Sequence, residues 1–165
     1  MSLVFDRLNI DDEKGIIEMS QMATAILREH YDPIIGVEQN TYMLNMFQSV
    51  DAIKGQLDHG YRYYFVRDEG RDLGFIAFFP RDNAMYLSKL YLYKSERGRG
   101  ISHKIIDFVS DEARKENLSS IELNVNRGNE TVNIYKKLGF RIIRDEKNDI
   151  GNGFYMDDHV FALDV

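Results

Sequence analysis

Between residues 93 and 104 the chain reads Tyr93-Lys94-Ser95-Glu96-Arg97-Gly98-Arg99-Gly100-Ile101-Ser102-His103-Lys104. An alternating apolar strand leads into this segment, and apolar residues at helical spacing (Ile101, Ile105, Phe108, Val109, Ala113) lead out of it. Glycines let a backbone turn sharply and let a ligand come close. The first N–H groups of a helix have no internal partners and carry the positive end of its dipole. A strand, a glycine turn and a helix start together make an anion cradle suited to a pyrophosphate. Arg97 or Arg99 would add full charge against phosphate. The plain alternative is a glycine turn with two solvated arginines.

Other phosphate loops fit less well. A P-loop needs a Gly-Lys-Ser/Thr ending, which is missing here. The dinucleotide fingerprint needs a third glycine where His103 stands, and a βαβ start where this chain has a run of antiparallel-looking strands. A second segment narrows the choice: Leu123-Asn124-Val125-Asn126-Arg127-Gly128-Asn129-Glu130-Thr131-Val132-Asn133-Ile134-Tyr135-Lys136-Lys137-Leu138-Gly139-Phe140. It reads as a strand, a loop asparagine, and a short helix carrying a tyrosine that stops at a glycine.

The two segments, in this order, resemble the GNAT superfamily of N-acetyltransferases. Arg97-Gly98-Arg99-Gly100-Ile101-Ser102 matches that family's coenzyme A loop except at Ser102, where glycine or alanine is usual. The later segment is similar to the family's strand, asparagine, tyrosine and Leu-Gly-Phe signature. The closing Asp149 to Asp158 stretch resembles a bacterial subgroup of polyamine-type enzymes.

This resemblance implies acetyl-coenzyme A as co-substrate, with the N–H groups of Gly98, Arg99, Gly100, Ile101, Ser102 and His103 on its pyrophosphate. It implies that the backbone of Leu90, Tyr91 and Leu92 pairs with the pantetheine arm and orients the acetyl carbonyl. It also implies that Tyr135 protonates the departing thiolate; the plain alternative is a core tyrosine. Asn129 lies one residue closer to that tyrosine than in many members. Asn126 and Asn129 are therefore both candidates for the coenzyme contact, and Asn129 is also placed to cap a helix. Some members carry a basic glutamate on the strand before the loop. Here that place falls near Ser88, leaving Glu122, Asp157, Asp158 and His159 as alternatives.

The elements that must hold these residues follow from periodicity. Leu3 to Asn9 reads as a strand, and Asp11-Asp12-Glu13 as a helix start. Ile16, Met19, Ala23, Ile26, Leu27 and His30 continue that helix until Pro33, expected to break it. A second helix carries Tyr42, Met43, Met46, Phe47, Val50, Ile53 and Leu57 on one face and stops at Gly60. Strands follow over 61–67, 73–79 and 85–93, with turns at Asp68-Glu69-Gly70 and Pro80 to Asn83. After the helix over 101–116 come a strand through Ile121, Leu123 and Val125, a helix over 130–138, and strands over 140–143 and 154–163. The expected fold is α+β: a twisted mixed sheet of six to seven strands flanked by about four helices, as one domain over 1–165.

Composition bounds the function. With 165 residues, 44% hydrophobic and 29% charged, the chain reads as one soluble globular domain. A net charge of −6 argues against a nucleic-acid partner and favours a cationic acceptor. The absence of cysteine removes disulfides, thiolate metal sites and a cysteine nucleophile, so direct attack by the amine is expected. It also fits a cytoplasmic protein. His30, His59, His103 and His159 are scattered, so no metal is expected. No apolar run is long enough to span a membrane, and Met1 to Asp6 lacks a signal pattern. Tyr31, Asp32, Glu38 and Tyr42, near the connection of the first two helices, are placed to line an acceptor cleft. The expected acceptor is a small-molecule amine such as a polyamine. A peptide N-terminus is the alternative, and a non-catalytic acyl-coenzyme A-binding module is the reading from another class. An oligomer is compatible with all three.

Overall fold

The computed structural model describes residues 2–165, so Met1 of the stretch read for a targeting signal lies outside the described residues. The elements are β1 (Leu3–Leu8), α1 (Glu13–Ile35), α2 (Val37–Phe47), α3 (Val50–Asp58), β2 (Arg62–Asp68), β3 (Arg71–Arg81) and β4 (Ala84–Leu92). A 3-10 turn (Lys94–Glu96) follows, then α4 (Ile101–Lys115), β5 (Ser120–Asn126), α5 (Thr131–Lys137), β6 (Arg141–Gly151) and β7 (Phe154–Asp164). The strands form a seven-stranded mixed sheet in the order β1-β2-β3-β4-β5-β7-β6. This is the α+β architecture expected from the sequence. Internal contacts divide the chain into two compact units: residues up to Phe79 with Lys89–Arg99, and Pro80–Ser88 with Gly100–Val165.

In the first unit, β1, β2 and β3 pair antiparallel in chain order. The Asp12 carboxylate caps α1 by accepting from the Gly15 N–H at 2.9 Å. Ile16, Met19, Ala23, Ile26 and Leu27 then fall on one stripe, all 6% exposed or less. With Leu44, Ile53, Tyr63, Phe65, Phe75 and Ala77 they form one core. Each leucine, isoleucine, methionine or phenylalanine among them contributes roughly 1.5–3 kcal/mol on burial.

Two expectations change here. Pro33 does not end α1; the helix runs through it to Ile35. A proline in the last turn forfeits a single backbone bond, and Gly36, at φ 88°, makes the stop instead. The long second helix is two helices. It stops at Phe47, and the Ser49 hydroxyl caps a new one by accepting from Ala52 N–H at 3.1 Å. Leu44 therefore enters the core while Met46 stays 46% exposed. The break accounts for five α-helices where about four were expected.

In the second unit β4 and β5 run parallel, paired from Ala84↔Ser120 to Tyr86↔Glu122. On its other edge β5 pairs antiparallel with β7 from Ser120↔Asp164 to Asn126↔Asp158, and β7 pairs with β6. The apolar stripe of α4 (Ile101, Ile105, Ile106, Val109, Ala113) is buried, as are Ile121, Leu123 and Val125, which share one face of β5. β6 runs on to Gly151, beyond the 140–143 expected, because β7 pairs with it through Gly151↔Phe154.

Candidate functional site

The glycine turn takes its shape from two left-handed residues. Gly98 and Gly100 both sit at φ 76°, a region where an L side chain costs roughly 1–2 kcal/mol. Gly100 is also the N-cap of α4, so no side chain caps that helix, and its first turn carries no acid. A Cβ built on either glycine would have nothing within 4 Å. The backbone here faces open space at the positive end of a helix of about four turns, which is what a phosphate-bearing coenzyme requires. The residues present therefore fit coenzyme A.

The charged neighbours of the turn are held by protein groups. Arg97 folds back, its Nη2 donating to Leu92 O at 3.2 Å with Nη1 3.4 Å from His30 Nδ1. Arg99 Nη1 donates to both carboxylate oxygens of Glu96, at 2.8 and 3.3 Å. Ser102 is half-buried, and exposed His103 lies 3.3 Å from Asp107.

On β4, Leu90 and Tyr91 are half-buried and Leu92 is buried. The Tyr91 ring lies edge-on to Tyr31 at 6.2 Å and against Phe75 at 5.5 Å. The β4 backbone also comes unusually close to β3. A Cβ on Gly74 would fall 2.1 Å from Tyr91 O, so only glycine fits there.

In the second unit, each candidate asparagine ties up its own loop. Asn126 Oδ1 accepts from Gly128 N–H at 2.9 Å, and Asn129 Oδ1 accepts from Thr131 N–H at 3.0 Å at the start of α5. Asn129 is 6% exposed, and Asn126 is half-buried. Tyr135 is 8% exposed, with its ring 5.6 Å from Phe140 and 6.1 Å from Phe161.

The carboxylates considered as a base differ in surroundings. Asp158 is buried, and Asn124 Nδ2 donates to its Oδ2 at 3.3 Å. Burial pushes its carboxyl above the usual range, against the lowering effect of Asn124. Glu122 lies 3.8 Å from Arg144, and Asp157 lies 3.9 Å from Arg127. His159 Nδ1 is 2.5 Å from Asp145, whose carboxyl is held below the usual range by that bond. Ser88 is half-buried.

At the helix corner, Asp32 accepts from Asn40 Nδ2 at 2.7 Å and pairs with Arg28 at 3.5 Å, holding α1 to α2. Tyr31 and Tyr42 are half-buried, and Glu38 is exposed.

Sequence reasoning passed over Lys89. It is 5% exposed on β4, and its Nζ lies within hydrogen-bond distance of Phe47 O (2.8 Å), Gln48 Oε1 (3.0 Å), Gln56 Oε1 (2.8 Å) and the Tyr63 hydroxyl, a set its three N–H donors share. Burial drives its pKa well down and that of Tyr63 well up. The signal available in the sequence was its place in alternation with Leu87 and Tyr91. Among the described residues no group of three or more His, Cys, Asp or Glu could hold a metal ion, and no helix is long and apolar enough to cross a membrane.

Comparison with known proteins speaks to the family and the fold. Residues 28–155 match the family model described as an acetyltransferase (GNAT) domain. No curated protein sequence matches the chain. The PaiA N-acetyltransferase of Thermoplasma acidophilum, solved in complex with coenzyme A, superposes with a TM-score of 0.77 over 100% of both chains at 18% identity. A Bacillus subtilis acetyltransferase, also in complex with coenzyme A, gives 0.64 over 99% of both chains at 15% identity. A spermidine N-acetyltransferase SpeG chimera from Vibrio cholerae and hSSAT gives 0.67 over 99% of this chain and 95% of its own at 17% identity. At these identities the likeness is one of fold.

Proposed function

Since the chain belongs to the GNAT acetyltransferases, a family of acyltransferases that use acetyl-coenzyme A, we propose that it transfers the acetyl group to a primary amine of a small, cationic molecule by direct attack. The observation that carries this reading is the pair of left-handed glycines open to solvent at the uncapped start of α4. Acetyl-coenzyme A supplies an activated thioester whose sulfur leaves as a thiolate. The N–H groups of Gly98 to His103 hold its pyrophosphate, and Leu90 to Leu92 offer backbone groups to the pantetheine arm and the carbonyl. Asn129, the more buried asparagine, orients the arm while its Oδ1 holds the Thr131 N–H at the start of α5. Tyr135 gives its hydroxyl proton to the departing sulfur. Residues 1–165 act as one acetyltransferase domain.

Asp158 serves as the base. Its register partner Asn126 opens the loop that carries Asn129, and a carboxyl raised by burial accepts a proton more readily than an exposed one. Where the amine arrives neutral, the base only takes the proton that its nitrogen sheds as the amide forms.

The small cationic acceptor rests on the −6 charge and on the likeness to a spermidine acetyltransferase fold. Steady-state turnover against spermidine, free lysine and a peptide with a free N-terminus tests it. Spermidine is expected to give the highest kcat/KM. A peptide preferred by ~100-fold, about 2.7 kcal/mol of transition-state discrimination, would replace this reading with N-terminal peptide acetylation.

A further inference from the structure

We propose that Arg71 and Arg99 together form a subsite for the 3′-phosphate of coenzyme A, beside the glycine turn that takes its pyrophosphate. The proposal rests on the reading of that turn as the coenzyme cradle. Its centre is Glu96, whose side chain is 3% exposed. Arg71, the first residue of β3, donates Nη1 to both Glu96 oxygens at 2.7 and 2.8 Å. Arg99, set between Gly98 and Gly100, donates Nη1 to the same two oxygens. Both guanidiniums share Oε1, so two like charges stand side by side around a single carboxylate. The group carries a net charge of +1, and a second anion is what would balance it.

The pair is open to such an anion. The side chain of Arg71 is 57% exposed and that of Arg99 is 41% exposed. Among the described residues neither guanidinium spends Nε or Nη2 on another group. A free guanidinium edge matches phosphate oxygens in parallel pairs.

Coenzyme A presents two kinds of phosphate. Its diphosphate suits a row of backbone N–H donors with partial charge. Its ribose monoester is a compact dianion that calls for whole charges, which Arg71 and Arg99 supply. The structural alternative is that the arginines serve only to pin Glu96 and shape the loop.

Calorimetric titration with coenzyme A and with dephospho-coenzyme A, which lacks only the 3′-phosphate, separates these. The intact protein should prefer coenzyme A by about tenfold or more, and the preference should shrink with added salt. Arg71→Ala should abolish the preference while dephospho-coenzyme A affinity stays within about twofold. Arg71→Gln, which keeps a hydrogen bond to Glu96 without the charge, should do the same and serves where the alanine variant does not fold. A variant that weakens both coenzymes alike, or that keeps the full preference, would overturn the subsite. Wild-type protein that binds neither coenzyme would instead remove the cradle reading beneath it.

Discussion

Replacing Gly100 with valine will abolish acetyl-coenzyme A binding and leave the chain folded. Gly100 has φ 76°, and a Cβ added there meets no protein atom within 4 Å. The added Cβ therefore displaces no packing. It does two things to the cradle. A β-branched residue is a genuine outlier in left-handed backbone, so the turn relaxes. Its methyls also occupy the space through which a phosphate would reach the N–H groups of α4. Loss of affinity of ~100-fold or more, about 2.7 kcal/mol, is expected by calorimetry, with native circular dichroism. Gly60→Val is the control. That glycine also has positive φ and open surroundings, so it shares the strain without touching the cradle, and its coenzyme affinity should stay at the wild-type value. A folded Gly100→Val protein with unchanged affinity would show that the loop is only a turn.

Tyr135→Phe should lower kcat by ~10²–10⁴, the usual range for a general acid, with little change in coenzyme affinity. Phenylalanine keeps the ring that packs on Phe140 and Phe161, so that packing is preserved and the hydroxyl alone is lost. The comparison belongs in single-turnover kinetics, where product release does not mask the chemical step. Unchanged turnover there would return Tyr135 to a purely structural role.

The glycine turn was legible because its information is local. Two glycines before an amphipathic stripe specify a turn and a helix start without reference to the rest of the chain. The same holds for Tyr135, fixed on a short helix between an asparagine loop and Gly139. Pro33 misled because its cost depends on where the helix ends, and Gly36 sets that end. The break between α2 and α3 was hidden because the apolar spacing runs through Gln48 and Ser49. Lys89 and Glu96 were hidden for a different reason. Each is a buried charge, and what makes its burial tolerable comes from far along the chain: Gln48, Gln56 and Tyr63 for Lys89, and Arg71 for Glu96. Alternation along β4 marks position 89 as buried but cannot say that a partner will be waiting, and Glu96, in the turn after β4, has no alternation to mark it. The standing of Asp158 likewise depends on a cross-strand register, Asn126↔Asp158, that pattern alone does not set.

The central claim is that this chain is built around acetyl-coenzyme A, and titration calorimetry of the purified protein with acetyl-coenzyme A, paired with a thermal melt, tests it most directly. The expected result is saturable binding and a melting temperature that rises with coenzyme concentration. At 100 times the dissociation constant the gain should be roughly 2.7 kcal/mol. No heat of binding and no melting shift at saturating acetyl-coenzyme A would contradict the account.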